Sequence, residues 1–332
     1  MAGTSNRRLV VVTPMVLAMA SSAGWAAPGD IVFTDLLTNS VRLVESPGSV
    51  RTLVQIDDPD ARIADIVRIG DTFYVGDGPR PETDPGRGRI FRMNGIFGSP
   101  VVDVISQGDP LQNPIGMCYD KRTDHLMIVN NPVSQSLPNN FDGIVAVPRT
   151  GGQAIKVYEE ERPLPRPYYR SGVKIAEDPA SDDFFVTTLN GGMYVGNEPD
   201  DFGFGSVIYR LRVDEALMTG EAEMLVDLSD TSVTGLDRPL TFTKGILPMA
   251  DGRTLFVTDG GDGIEPDSGA IYRISLDEDG AFESIETFAD GFGQMGLIVH
   301  NPYDDTLVFG AGDQRLMRIG LDGQGLELLA QD

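Results

Sequence analysis

Short apolar runs separated by tight turns dominate the hydrophobic pattern beyond the N-terminal segment. Residues 295–310, for example, read as a strand, a polar Asp-containing turn and a second strand. Short apolar runs bounded by Gly, Asp and Asn are typical of β-strands, and no long segment keeps the 3.6-residue period of an amphipathic helix. The 39 glycines are spread along the chain, as many turns require. The pattern predicts an all-β protein.

The predicted strands recur as a unit of four. Similar hairpins start near Ala64, Ile115, Ser171, Lys244 and Met295, and a third and a fourth strand follow each hairpin. A partial unit over residues 29–55 precedes them, without an evident innermost strand. Units of four strands at intervals of roughly 40 to 65 residues are typical of β-propeller blades. We predict one domain over residues 27–332, a six-bladed β-propeller with four-stranded antiparallel blades.

Two other architectures compete with six blades. A seventh blade has room only in Tyr168–Asp230, where two units could have been merged. A β-sandwich or a pair of small β domains would not explain why all four strands repeat in the same order. Because a blade buries both faces against its neighbours, the repeat favours a closed ring.

The N-terminal segment has the three parts of an export signal. Arg7 and Arg8 precede the apolar run Leu9–Ala20, and small residues follow. The run is too short to span a bilayer, so we predict a signal peptide over residues 1–26, cleaved after Ala26 or, alternatively, after Ala23. A buried N-terminal helix is the competing interpretation. No later stretch predicts a transmembrane helix, and we expect a periplasmic or secreted monomer without membrane insertion.

The negative charge of the chain limits the classes of molecule that it is expected to bind. The formal net charge is −24, and it becomes −26 when Arg7 and Arg8 leave with the signal. Such a surface repels nucleic acid and anionic lipid, so neither is an expected partner. The single cysteine, Cys118, lies in an apolar run and is expected to be a core residue; one cysteine excludes a disulfide within the chain.

The hairpins resemble those of a known propeller type. A glycine after the strand start and an Asp/Asn-rich turn before Leu-Phe-Val or Leu-Val-Phe resemble six-bladed propellers of the gluconolactonase (regucalcin) and NHL-repeat type. The resemblance implies a ring with a central channel. It also implies that ligands bind on the face formed by the loops between second and third strands, which we call the long-loop face.

In gluconolactonase-like members, the resemblance implies a divalent cation in the channel, held by carboxylate and asparagine side chains just before the inner-strand glycine. The corresponding positions here are Ala64, Ile115, Ser171, Lys244 and Met295. None of them is a carboxylate or an asparagine, whereas a hard cation needs several oxygen ligands. The departure argues against lactonase activity.

Candidate ligand-binding side chains cluster at the predicted long-loop face. Asp77, Asn131, Asn190 and Asp259 begin long loops after second strands. Lys174 and Lys244 lie on or at the start of innermost strands, and Arg170 precedes another start. A buried lysine must be hydrated, paired or ligand-bound. We therefore expect the lysines either to pair with Asp259 or Asp77, the favoured alternative, or to hold an anionic ligand.

One loop offers a calcium site. Asp259, Asp262, Glu265 and Asp267 supply carboxylates between glycines that allow sharp turns, although the spacing is not that of an EF-hand. Ordinary solvated turns use the same residues. His125 and His300 fall in or beside turns on the opposite face, so neither is placed for a Ser-His-Asp site. Calcium is the only cofactor that the sequence suggests, and no catalytic residue is identified.

Two functions remain open. The favoured one is an exported binding propeller that recognises a protein or a small ligand at the long-loop face or central channel. The alternative is a divalent-metal-dependent, lactonase-like hydrolase. The residues at the innermost-strand starts separate the two, and they favour binding.

Overall fold

The computed structural model describes residues 17–19, 29–78, 88–131, 143–159, 170–190, 206–261, 267–312 and 314–331, with side chains left out at 17–19, 170–172 and 189–190. Within these ranges 24 strands form six four-stranded antiparallel sheets, and the one helix is the single turn α1 (Thr231–Thr234). The predicted all-β six-bladed propeller is confirmed, and the four strands described between Arg170 and Asp227 form a single sheet. No helix of the described ranges is long and apolar enough to cross a membrane.

The strands follow one another through the blades in chain order. Blade 1 contains β1 (Leu17–Met19), β2 (Ile31–Asp35), β3 (Ser40–Ser46) and β4 (Ser49–Gln55), and blade 2 contains β5 (Ile63–Ile69), β6 (Thr72–Asp77), β7 (Arg89–Asn94) and β8 (Val101–Gln107). Blade 3 contains β9 (Pro114–Asp120), β10 (His125–Asn130), β11 (Gly143–Pro148) and β12 (Ile155–Glu159), and blade 4 contains β13 (Arg170–Glu177), β14 (Phe184–Asn190), β15 (Ser206–Asp214) and β16 (Thr219–Asp227). Blade 5 contains β17 (Thr243–Pro248), β18 (Thr254–Asp259), β19 (Gly269–Leu276) and β20 (Phe282–Phe292), and blade 6 contains β21 (Ile298–Asn301), β22 (Thr306–Ala311), β23 (Arg315–Gly320) and β24 (Glu327–Gln331).

The first strand of each blade is its innermost strand. These first strands contact one another from blade to blade around the ring, including blade 6 with blade 1. The predicted inner-strand starts are confirmed to within one residue in blades 2 to 5. In blade 6 the prediction at Met295 is wrong, because β21 begins three residues later, at Ile298. Met295 is instead buried in the core beside Phe292 and Phe309.

Alternation along the second strands explains why the blades stack. In β6, Phe73 packs with side chains of blade 1, whereas Tyr74 packs with side chains of blade 3. In β18, Leu255 packs toward blade 4 and Phe256 toward blade 6. Because successive side chains of a strand point to opposite faces, a strand that is apolar on both faces needs a neighbour on each side.

Six clusters of buried apolar side chains fill the six junctions between blades. Representative pairs, in order from the junction of blades 1 and 2, are Val32 with Ile66, Ile90 with Leu126, Met127 with Phe184, Ile208 with Leu255, Phe256 with Phe309, and Val308 with Phe33. The last cluster joins blade 6 to blade 1, so the ring is closed by packing.

Buried threonines on second strands add hydrogen bonds across three of these junctions. The hydroxyl of Thr34 donates to the carbonyl of Ala64 at 2.9 Å, and that of Thr258 donates to the carbonyl of Gly296 at 2.6 Å. Thr187 donates in the same way to the carbonyl of Lys244, at 3.4 Å. Each bond satisfies a carbonyl in, or just before, the innermost strand of the next blade, and this carbonyl would otherwise be costly to bury.

The ring closes between blades 6 and 1. Among the described strands, none of the six sheets combines strands from both ends of the chain. β24 contacts β3 and β4, and the amide of Gly48 donates to the carbonyl of Leu329 at 2.8 Å. Closure therefore depends on side-chain packing and a few hydrogen bonds between blades 6 and 1.

The innermost strand of blade 1 comes from the segment that the sequence assigns to the export signal. Leu17–Met19 pairs antiparallel with Ile31–Phe33. The sequence pattern shows no innermost strand for this blade, and the structure supplies one from residues 17–19. Cleavage after Ala26 or Ala23 stays a prediction; the exported protein should begin at Ala27 or Gly24, and an intact Met1 on it would contradict the cleavage.

Candidate functional site

In blades 2, 3 and 5, the side chain of the last residue of the second strand accepts hydrogen bonds from the main chain just before the innermost strand of the same blade. In blade 2, Oδ1 of Asp77 accepts from the amide of Arg62 at 2.6 Å, directly before β5. Its Oδ2 accepts from Nε of Arg89 at 2.6 Å, and Arg89 also binds Asp58. Burial raises the pKa of Asp77, and Arg89 and the amide oppose that rise. Asp77, a predicted ligand residue, is thus engaged inside its own blade.

Blade 3 has the same arrangement with an amide side chain. Oδ1 of Asn130 accepts from the amides of Gln112 at 2.7 Å and Asn113 at 3.1 Å, directly before β9. The neighbouring Asn131, also a predicted ligand residue, donates its amide to the carbonyl of Asn113 at 3.1 Å. The side-chain Oδ1 of Asn131 is buried and has no hydrogen-bond partner among the described residues. A buried amide oxygen without a partner is a position for a water or a ligand donor.

Blade 5 repeats the arrangement beside a buried lysine. Oδ1 of Asp259 accepts from the amide of Phe242 at 2.8 Å, and Oδ2 accepts from the amide of Gly261 at 3.0 Å. Nη1 of Arg238 lies 3.6 Å from the same Oδ2. Burial raises the pKa of Asp259, while the amides and Arg238 oppose it.

Two further predicted site residues lie across from each other in blade 4. Arg170 pairs with Asn190 at the long-loop end of β13 and β14. Their backbones are described and their side chains are not, so their ligand-binding role stays a prediction.

Lys174 is part of an ion-pair network between three blades. Its ammonium donates to Oδ2 of Asp65 in blade 2, and to the carbonyl of Met117 in blade 3 at 2.8 Å. The amide of Met117 donates back to Asp65 at 2.5 Å. The predicted pairing of Lys174 with Asp259 or Asp77 is therefore wrong, because Asp65 lies closer, on the inner strand two blades away.

Lys244 lies on the innermost strand of blade 5 in a different environment. Its ammonium lies over the ring of Phe242, 4.4 Å from the centroid, and the residue is only 6% exposed. Burial lowers the pKa of Lys244 to about 8, and the charge of Asp259 opposes that fall. The register of β17 against β18 shifts between Thr243 and Gly245, so Lys244 sits at a bulge. Bulges often re-aim a side chain next to a functional site.

Arg238 and Tyr272 complete this neighbourhood, and sequence reasoning missed both. Nη2 of Arg238 donates to the carbonyl of Ser268 at 2.7 Å and to the hydroxyl of Tyr272 at 3.3 Å. Arg238 stays partly exposed, whereas burial raises the pKa of Tyr272. Arg238 follows α1 in the connection to β17, where no strand repeat marks its position. We call Lys244, Phe242, Asp259, Arg238 and Tyr272 the blade 5 site.

The partly buried Cys118 and the two histidines add no reactive group here. Burial raises the pKa of Cys118, which keeps the thiol protonated as expected of a core residue. Nδ1 of His125 is hydrogen-bonded with the carbonyl of Thr123 at 2.6 Å, and Nε2 of His300 with Asp305 at 3.0 Å. Both lie in strands directly beside the turns between first and second strands, in agreement with the sequence prediction.

The predicted calcium loop fits only in part. Asp259 has both oxygens bound to main-chain amides and a guanidinium beside one of them, so it is not arranged as a metal ligand. Asp267 is exposed, and Asp262 and Glu265 lie outside the described residues. No group of three or more His, Cys, Asp or Glu side chains within the described ranges is placed to hold a metal. The calcium prediction now depends on Asp262, Glu265 and Asp267.

The inner strands likewise offer few oxygens for a channel cation. Of the positions compared with gluconolactonase-like ligands, Lys244 carries an ammonium, and Asp65, one residue after Ala64, is bound by Lys174. An ammonium near a divalent cation is repulsive. The inner-strand side chains that the structure describes do not fit a channel metal.

Comparison with known proteins supports the fold. No protein-family model and no curated protein matches the chain. Among solved structures, hydrazine synthase of Kuenenia stuttgartiensis is similar at a TM-score of 0.60 and 11% identity, over 94% of this chain and 84% of that chain. A gluconolactonase of Xanthomonas campestris is similar at a TM-score of 0.57 and 14% identity, over 95% and 85%. A periplasmic gluconolactonase of Pseudomonas aeruginosa reaches 0.52 and 16%, over 90% and 77%.

These likenesses show that the chain shares the propeller fold of the gluconolactonases and of other propeller enzymes. Identities of this size carry no site residue from one protein to another. Function must be argued from the side chains of this chain.

Proposed function

We propose that this chain is an exported β-propeller that binds a small anionic molecule at the long-loop face, with Lys244 as its cationic contact. The observation that carries the proposal is the near-complete burial of the Lys244 ammonium on the innermost strand of blade 5. Export is supported by the charged, apolar and small-residue parts of the N-terminal segment.

The energetic argument starts from desolvation. Removing an ammonium from water costs several kcal/mol, which a core made only for stability would avoid. The π-face of Phe242 and the charge of Asp259 offset part of this cost. A bound anion would offset more of it, since its interaction with Lys244 is little screened in a buried site.

The position favours a small molecule over a protein. A contact residue that is 6% exposed on the inner wall is poorly accessible to the surface of a folded partner. Small-molecule sites instead enclose their ligands and use a few polar groups for orientation. Arg238, partly exposed and 3.6 Å from Asp259, supplies a second cation in the same neighbourhood.

Isothermal titration calorimetry with acetate, succinate and inorganic phosphate tests the proposal. We expect at least one of these anions to bind the wild-type chain, and Lys244→Met to weaken that binding by about tenfold or more, the loss of a charge-assisted contact. Lys121→Met, which removes an exposed lysine, is the matched control and should bind as the wild type does. Equal affinity in a folded Lys244→Met variant would overturn the assignment.

The same samples test the lactonase alternative, which has only the fold likeness in its favour. Lactone hydrolysis that requires calcium and stops with EDTA would favour the hydrolase. Anion binding without such hydrolysis favours the binding propeller.

A further inference from the structure

The innermost strand of blade 1 differs from the other five in its length and in its connection to the second strand. β1 has three residues, whereas the innermost strands of blades 2 to 6 have four to eight. Eleven residues, 20–30, separate β1 from β2, whereas two to six residues separate the first and second strands of the other blades. Both predicted cleavage sites, after Ala23 and after Ala26, lie in this connection. Cleavage at either site would cut β1 from the blade that it completes.

The strand that β1 covers is held in place by the rest of the ring. Along its other edge, β2 pairs with β3 over all five of its residues. Val32 packs into the cluster between blades 1 and 2, and Phe33 packs into the cluster between blades 6 and 1. Thr34 donates across the junction to the carbonyl of Ala64. Because these contacts do not involve β1, loss of β1 would keep β2 in position and uncover its inner edge.

An uncovered strand edge presents main-chain donors and acceptors to any chain that can run beside it. β1 shows how such a chain lies here, since Leu17–Met19 runs antiparallel to Ile31–Phe33. β1 also contacts β5 and β21, the innermost strands of the two neighbouring blades. The edge therefore accepts one extended segment, which completes the inner wall of the ring.

The processed chain is too short to refill this edge itself. Cleavage after Ala26 would leave four residues before Ile31. A two-residue turn and a pairing strand of three residues, the length of β1, need more than four. The edge would stay open for another polypeptide.

We infer that the inner edge of β2 is a docking site in the exported protein for one extended, apolar segment of a partner polypeptide, an inference that rests on the export included in the proposed function. Main-chain hydrogen bonds with Ile31–Phe33 supply the affinity, as in other cases of strand addition. The apolar character follows from Leu17–Met19, which occupies the same edge. An acidic segment would be repelled by the negative charge of the chain.

In the unprocessed chain, β1 competes with the partner for this edge. A short covalent connection gives a tethered strand an effective concentration on the order of millimolar. A free peptide at micromolar concentration would displace little of it. The N-terminal segment thus keeps the docking site closed until it is removed.

Fluorescence anisotropy with a labelled peptide tests the inference. The peptide carries residues 15–20 of this chain followed by a pair of lysines for solubility, and a control peptide has proline in place of Leu17 and Ala18. The exported protein is compared with the unprocessed full chain. We expect the exported protein to bind the first peptide about tenfold or more tightly than the full chain does, because no tethered strand competes. It should also prefer the first peptide to the proline peptide, which lacks main-chain donors.

Two variants of the unprocessed chain isolate the competition by β1. Leu17→Pro with Ala18→Pro removes two consecutive main-chain donors, one of which faces β2 in an antiparallel pair. This variant should bind the peptide about as tightly as the exported protein does. Leu17→Val with Ala18→Val keeps both donors, so this matched control should bind as weakly as the unprocessed wild type. Dichroism establishes that each variant is folded.

Hydrogen exchange locates the bound peptide. Binding should slow exchange of the amides within Ile31–Phe33, and protection confined to an outermost strand such as β8 would overturn the inference. Equal peptide affinity of the exported protein and the unprocessed chain would overturn it as well.

The outcomes separate this inference from the anion binding at Lys244. An intact Met1 on the exported protein would overturn the docking site, whereas acetate binding in calorimetry would still support the anion site. Peptide binding without binding of any tested anion would overturn the anion site and leave the docking site intact. An exported protein that begins at Gly24 or Ala27 and does not bind the peptide would overturn the docking site alone.

Discussion

Two lysines on neighbouring innermost strands, Lys174 in blade 4 and Lys244 in blade 5, are buried in different ways. Lys174 gains a carboxylate from blade 2 and a carbonyl from blade 3, and its charge is matched inside the protein. Lys244 gains an aromatic face and a carboxylate already shared with main-chain amides. The same residue type on equivalent strands is structural in one blade and a functional candidate in the next. The difference lies in the partner strands, since the innermost strand itself is alike.

The largest loss of stability is expected when the ion pair between Lys174 and Asp65 is broken. Lys174→Met should destabilise the protein by about 3–5 kcal/mol, because it leaves Asp65 buried without its counter-ion. Urea unfolding measures this loss. The double variant Asp65→Leu with Lys174→Met should recover most of it, since no unpaired charge remains. A double variant as unstable as the single one would show that the charge pair is not the cause.

At Lys244, a substitution is expected to raise the free energy of unfolding and not to lower it. Because its folded pKa of about 8 lies below the ordinary 10.5, burial of the charge destabilises the wild type fully below pH 8, and the penalty disappears as the pH rises toward 10.5. Lys244→Met should therefore be more stable than the wild type by about 1–2 kcal/mol at pH 7. The advantage should shrink between pH 8 and 10.5. A variant less stable than the wild type at pH 7 would contradict this.

A single hydroxyl links the two lysine strands. Thr187 accepts from the amide of Lys174 at 3.2 Å and donates to the carbonyl of Lys244 at 3.4 Å. Thr187→Val should cost about 1–2 kcal/mol, because two buried backbone groups lose their partner. Thr187→Ser keeps the hydroxyl and should cost less. Faster hydrogen exchange at the Lys174 amide in the valine variant, and not in the serine variant, would localise the effect.

The smallest change in stability is expected at the exposed Lys121, which serves as the reference for the two buried lysines. Lys121 is 72% exposed and lies 3.4 Å from Glu177. Lys121→Met should change the free energy of unfolding by no more than about 0.5 kcal/mol, as for other surface pairs. A larger change would mean that lysine substitutions in this chain act through something other than burial.

The fold could be predicted from the sequence because its signals are local. Alternating apolar residues and Gly/Asp turns mark strands one hairpin at a time, and their repetition gives blades. The innermost strand of blade 1 was not evident, since Leu17–Met19 lies within an apolar run typical of an export signal. The start of β21 differs from the prediction because Met295 and Gly296 match residue pairs that lie at the start of other inner strands, such as Lys244 and Gly245.

The site was harder to predict because its contacts join distant parts of the chain. Lys174 and Asp65 are 109 residues apart and meet across blade 3, which no sequence spacing indicates. A charged residue within the apolar run Ile63–Ile69 was the available signal for Asp65. Asp77 and Asp259 stand where ligand-binding residues would stand. Whether such a carboxylate faces the channel or turns back to its own main chain depends on backbone geometry that residue types do not encode.

The junction between blades 6 and 1 is expected to determine where the ring begins to unfold. All other neighbouring blades are joined by a covalent connection as well as by packing, whereas this pair is held by one apolar cluster and bonds such as Gly48 to Leu329. A closed ring of blades in which one junction lacks a covalent connection is expected to open first at that junction. Before global unfolding, the terminal blades would separate as a local opening, and the amides of Ile31–Asp35 and Thr306–Ala311 would exchange their hydrogens while the blades opposite stay protected.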